Sequence, residues 1–279
     1  MKNSLWRLRL ATVLGAMAVF ALNGAGSVSA QNPDTIPAEA SAARTKAILQ
    51  QMLGALGGTN YLNVHDSECV GRLAQFGPFT GELGADAPFH EFRMPPDKLR
   101  REVGKKQNII DVYNGNQGWS IDKGGVEDGN AVAIASFQAG LKMSFDVLIR
   151  SRLAESGMYF HYGGDDVVDL RQVDWVQLED TDGHMYRIAV EKSTHLPVRF
   201  VITTRNPRTN EPTEDITRYS NWHAQDGVAT PFQVSRERDG KRVSQIFYES
   251  CKYNSGVTAD FFTRAALEKR WADMGHKSK

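Results

Sequence analysis

The sequence predicts an α+β fold that is mainly β: a single antiparallel sheet, strongly curved, with helices against its concave face. Three observations lead there. From Glu68 onward most of the chain consists of short segments in which apolar and polar residues alternate, the period of a half-buried strand. Asn114-Gly115, Asp182-Gly183, Asp226-Gly227 and Asp239-Gly240 stand between such segments, and these pairs supply the positive φ that tight hairpins need. One helix-periodic stretch interrupts the strands in mid-chain. It is placed to cover a sheet that, at about ten strands, must curl.

The N-terminus comes first in chain order. Lys2, Arg7 and Arg9 precede an apolar run over 10–22, and Val28-Ser29-Ala30 stands before Gln31. A basic start, a short apolar run and small residues at the cut make a secretory signal peptide. The run is shorter than the roughly 20 residues of a membrane-spanning helix. Residues 1–30 are therefore expected to be removed, giving a protein that is soluble in the periplasm. Residues 31–40, with Pro33 and Pro37, are expected as an unstructured leader. Residues 41–279 are expected as one domain, because no repeat, low-complexity tract or linker divides them. Lys+Arg and Asp+Glu are both 33, so no basic excess favours nucleic acid. Export sets aside ATP-driven chemistry and cytosolic redox.

Ser41 can cap a helix to about Leu56, whose apolar residues Ile48, Leu49, Met52, Leu53 and Leu56 fall at three- and four-residue steps. Gly57-Gly58 ends it. Strand patterns follow over 69–76, 89–94, 98–103, 108–113 and 118–122. Asn130 then caps a second helix to about Ala154, with the stripe Ile134, Phe137, Leu141, Phe145 and Leu148. Further strands are predicted over 173–180, 184–191, 197–204, 215–223, 230–237 and 242–253. A helix over 258–271 closes the chain. In strand 184–191, Tyr186, Ile188 and Val190 share a face. In strand 197–204, Val198, Phe200 and Ile202 do. One dry face per strand is the habit of an antiparallel sheet covered on one side.

Cys69 and Cys251 fall in the first and last strand patterns. An oxidising compartment and an even count fit a disulfide; two separate buried cysteines are the alternative. No His, Cys or carboxylate spacing matches a metal site, and neither a G-x-S-x-G elbow nor a phosphate-binding glycine loop is present. The run His161-Tyr162-Gly163-Gly164-Asp165-Asp166 reads as a polar turn rather than a metal site. No catalytic residue, metal or cofactor is expected.

Several segments are similar to those of a known superfamily. The step Phe89-His90-Glu91-Phe92-Arg93-Met94-Pro95-Pro96-Asp97-Lys98-Leu99-Arg100 resembles a strand–proline–strand unit. Ile110-Asp111-Val112-Tyr113-Asn114-Gly115-Asn116-Gln117-Gly118-Trp119 resembles its hairpin. Tyr219-Ser220-Asn221-Trp222 and 226–232 resemble late segments of outer-membrane lipoprotein-sorting proteins. Together they resemble the LolA/LolB-like periplasmic lipoprotein carriers of Gram-negative bacteria. The resemblance implies an unclosed antiparallel β-barrel in which lipid acyl chains bind between sheet and helices. It also implies membrane-bound donor and acceptor proteins as partners. In well-studied carriers an arginine precedes the strand-linking proline; Met94 stands there in this chain and Arg93 one residue earlier.

The residues with one apolar face give the expected site. An acyl chain is placed between Phe137, Leu141, Phe145 and Leu148 of the lid helix and Phe92, Trp119, Ile188, Val198, Phe200 and Ile202 of the sheet. Trp119 lines this cavity or belongs to the core. The function expected is a periplasmic carrier or chaperone for lipid or lipoprotein acyl chains. A lipid-sensing module that binds a signalling protein is the alternative, and an exported hydrolase ranks below both.

Overall fold

In the computed structural model, residues 33–77, 80–122, 124–205 and 208–275 are described; the predicted signal peptide lies outside them. Thirteen strands form one open antiparallel sheet. They are β1 (Ser67–Phe76), β2 (Leu83–Met94), β3 (Lys98–Val103), β4 (Ile109–Asn114), β5 (Gln117–Asp122), β6 (Gly125–Asp128), β7 (Tyr159–Val168), β8 (Arg171–Glu179), β9 (Met185–Glu191), β10 (Pro197–Arg205), β11 (Pro212–Gln225), β12 (Val228–Arg238) and β13 (Lys241–Tyr253). The spatial order runs from β6 down to β1, then from β13 down to β7. β6 and β7 are thus the two free edges, and the sheet is an unclosed, curved barrel. Its middle is the pairing of β1 with β13, where Cys69 lies opposite Cys251 and the two are bonded.

The helices are α1 (Ala38–Leu56), α2 (Thr59–Leu62), α3 (Ala131–Lys142), α4 (Phe145–Val147) and α5 (Arg264–Asp273). α1 starts three residues before Ser41, and Pro33–Thr35 form a 3-10 turn, so part of the expected unstructured leader has regular structure. Ser41 is buried and its hydroxyl accepts from the Tyr162 N–H at 2.8 Å, tying α1 to β7.

The second helix differs from its sequence pattern. It divides at Met143, where the axis bends by 45°. Ser144 starts a new turn by accepting from the Val147 N–H, and a π turn, Leu148–Arg152, follows. The segment read as a turn at 161–166 lies inside β7 instead. Gly163 and Gly164 form a bulge there. A Cβ at Gly163 would sit 3.0 Å from Trp175, and Gly164 has a φ of +92°, so glycine lets the strand kink without ending.

Register assigns every side chain to one of two faces. Tyr162, Val176, Ile188, Phe200, Tyr219, Val234, Ile246, Leu73, Phe89 and Tyr113 lie on the inner face. α1, α2 and α4 pack on it. The C-terminal segment, a 3-10 turn Ala259–Phe262 and α5, covers the outer face of β2–β6.

Candidate functional site

The inner face carries a continuous apolar row. Phe145 of α4 packs edge-on against Phe200 of β10, with centroids 5.5 Å apart, and tilts against Tyr219 of β11 at 5.6 Å. Tyr219 faces Val234 of β12, which faces Ile246 of β13, which faces Leu73 of β1. Phe89 of β2 completes the row. From β10 to β2 this is roughly 24 Å of sheet at the usual strand spacing, the length of a long acyl chain. Its β10 end is packed under α1 and α4. Its β1–β2 end, the cluster of Leu73, Phe89, Val234 and Ile246, is built from strands alone.

Beside that buried end lies a charged trio on the same face. Glu91 is buried and accepts from Arg93 Nε at 2.6 Å and Arg101 Nε at 2.7 Å. Burial alone would raise the Glu91 carboxyl, but the charges of Arg101 and Arg93 overcome it and hold the group at about 2. Glu91 in turn raises Arg93. The Arg93 side chain keeps 41% of its surface accessible, so it reaches solvent at the margin of the packed face. Tyr219 and Tyr248, whose hydroxyls burial pushes up, stand on the same wall. The buried apolar row thus borders a polar, basic margin.

α3 spans the opening. None of its residues is buried, and Val132 is 72% exposed, although a helix with so many apolar residues normally buries a face. It is pinned at two places. Toward β4–β5, Phe137 stacks on Tyr113 at 4.3 Å, Ile134 lies against Gly118 and Gln138 donates to the Gly115 carbonyl. Toward the β8–β9 turn, Lys142 pairs with Asp182. At about 18 Å long, α3 reaches from one arm of the open sheet to the other.

Below its C-terminal end, Arg152 anchors α4 to the sheet. Its guanidinium donates to Asp180 at 2.9 Å and to the Tyr186 hydroxyl at 2.8 Å. Asp180, Asp182 and His184 stand close enough to suggest a cation site. Arg152, Tyr186 and His184 already occupy the Asp180 carboxylate, and Lys142 occupies Asp182. Arg152 and Lys142 thus supply the positive charge beside these carboxylates.

Of the residues expected to touch an acyl chain, Phe145, Leu148, Ile188 and Phe200 meet in one cluster, with Ile202 packed against it. Phe137 and Leu141 lie apart on α3, both half-buried. Three expectations are corrected. Phe92 and Trp119 point to the outer face, where Phe261, Phe262 and Trp271 cover them. Val112 pairs with Trp119, and Tyr113 with Gly118; α3 takes the Tyr113–Gly118 side, so Trp119 belongs to the other. Val198 also lies outside, in a cluster with Val201 and Ala189. A bulge between Pro197 and Arg199 shifts it by one position relative to Phe200. The buried apolar cluster of Leu73, Phe89, Val234 and Ile246 and the Glu91 trio were missed. The alternation Phe89, Glu91, Arg93 and the matching Arg101, Val103 carried the signal.

No family model matches the sequence, and no curated protein matches it. Solved structures do. A DUF1329 family protein from Desulfovibrio piger has a TM-score of 0.57 at 15% identity, over 80% of this chain and 98% of that one. A domain assigned as an outer membrane lipoprotein-sorting protein from Vibrio parahaemolyticus has 0.50 at 9% identity, over 81% and 99%. A LolA superfamily protein from Nitrosomonas europaea has 0.50 at 11% identity, over 80% and 99%. At these identities the likeness is one of fold. The chain has the unclosed-barrel fold of LolA-like proteins.

Proposed function

We propose that this protein is a periplasmic carrier or chaperone for lipid or lipoprotein acyl chains, exported by residues 1–30 and working by binding rather than catalysis. The observation that carries the reading is the pairing of a long apolar row on the inner face with a helix that spans it and buries none of its own residues. Val234, Ile246, Leu73 and Phe89 are already buried, so an acyl chain enters between this row and α3 as the helix lifts, gaining about 0.8 kcal/mol per buried methylene. α3 gains an apolar surface for Ile134, Phe137 and Leu141 at the same time. The fold shared with a lipoprotein-sorting domain and a LolA superfamily protein supports the same use. The site moves from its sequence placement toward β1, β2, β12 and β13, with Phe92, Trp119 and Val198 excluded.

The fluorescent fatty acid cis-parinaric acid tests this. Saturable binding is expected, weakened at least tenfold by Leu141→Asp and by Val234→Glu, with the far-ultraviolet circular dichroism of the sheet unchanged in Leu141→Asp. Binding indifferent to both substitutions refutes the placement.

A further inference from the structure

The outer face of the same sheet carries a cavity of about 310 Å³, bordered by Tyr219 of the apolar row but otherwise lined by residues outside that row. It forms where the β7–β8 turn folds toward β10 and β11. Asp169 in that turn accepts from Arg199 Nη2 at 3.2 Å and lies 3.5 Å from Arg218 Nη1. Arg218 donates to both Glu237 oxygens, at 3.2 and 3.0 Å. This chain of ion pairs fixes one wall. The floor is neutral and hydrogen-bonding. Ser220 pairs with Gln233 and Arg218 with Ser235, and Ser235 pairs with Gln245, so these side chains share the outer face and line the cavity.

Two features of the lining point to a polar ligand. Ser235 is 8% exposed and its hydroxyl has no hydrogen-bond partner. Buried polar groups are nearly always paired, and an unpaired one costs about 1–3 kcal/mol. At the rim, Arg242 faces Glu237 across the strand pair and its charge helps hold that carboxyl low, while its guanidinium lies 5.7 Å from the Phe76 ring. Arg171, also lining the cavity, comes no nearer to a carboxylate than 4.0 Å, at Glu191. Guanidinium groups therefore outnumber the lining carboxylates, Asp169 and Glu237. Phe247, 43% exposed, faces Gln233 across the strand pair and offers a flat apolar ring beside the polar floor.

The geometry points to a binding site for an acidic monosaccharide, a hexose ring bearing one carboxylate or phosphate. The hydroxyl and amide floor matches the ring hydroxyls, Arg242 and Arg171 match the acidic group, and the volume admits about one hexose. The polar and charged groups of the cavity stand on the opposite face from the apolar row.

Calorimetric titration with D-glucuronate, glucose 1-phosphate, glucose and inorganic phosphate at low salt tests the assignment. One of the two acidic sugars should bind saturably, at least tenfold tighter than glucose and than phosphate alone. Gln245→Glu, which places a negative charge on the floor, and Arg242→Gln at the exposed rim should each weaken it at least tenfold with the urea midpoint unchanged. The proposal falls if neither acidic sugar saturates at millimolar concentration, if glucose or phosphate binds as tightly, or if both variants bind like the unaltered protein. The two acidic sugars separate a uronate preference from a sugar-phosphate preference.

Discussion

Replacing Glu91 by glutamine removes one charge from a buried trio and leaves Arg93 and Arg101 facing each other. The Glu91 carboxyl titrates at about 2 in the fold against an ordinary 4.5. That depression is worth about 3 kcal/mol at neutral pH. Because the folded value is the lower one, the stabilisation is fully present above pH 4.5. It is lost as pH falls toward 2, where the carboxyl protonates in both states. Urea unfolding of the protein and of Glu91→Gln, followed from pH 7 to pH 2.5, measures it. The variant should be less stable by about 3 kcal/mol at pH 7, and the gap should narrow steadily below pH 4.5. Asp180, also held low by Arg152 and His184 against its burial, titrates in both proteins and cancels in the difference. A gap that stays constant across the range, or no gap at pH 7, refutes the view that Glu91 holds the two arginines in place.

The remaining predictions concern the frame around the groove. Reducing the Cys69–Cys251 bond, whose partners are 182 residues apart, frees a loop whose closure entropy is worth about 5 kcal/mol; the urea midpoint should fall, and an unchanged midpoint contradicts the role given to the bond. Leu148 is fully buried, so Leu148→Ala should cost about 2–5 kcal/mol, the usual range for a buried leucine. Leu141→Ala on α3 should cost less than about 1 kcal/mol in the ligand-free protein, as expected for a half-exposed side chain. Equal costs for the two, read by urea unfolding, would make α3 ordinary core rather than a strap.

Much of the fold was legible because antiparallel hairpins write themselves locally. Asp226-Gly227 and Asp239-Gly240 have positive φ at both residues, as the turns require, and β3 matches its sequence pattern at both ends. Side-chain direction was legible only where no bulge intervened. Phe200 and Ile202 were placed on the right face, but the extra residue between Pro197 and Arg199 reversed Val198. Phe92 and Trp119 failed for another reason. β2–β6 are covered on their outer face by the C-terminal segment, so both faces hold large apolar residues and alternation no longer tells which looks inward. β7 was hidden by its two glycines, and the break between α3 and α4 by a stripe that continues across Ser144. The Glu91 trio was invisible as a unit because Arg101 lies on the next strand, and only register brings it to Glu91.

The most direct test of the account is native mass spectrometry of the protein purified from the envelope of its own host without detergent exchange. A retained mass of an acylated lipid or lipoprotein is expected, released by Val234→Glu in the row and by Leu141→Asp on α3. A protein that carries no adduct, and takes up no fatty acid when one is offered in excess, would contradict it.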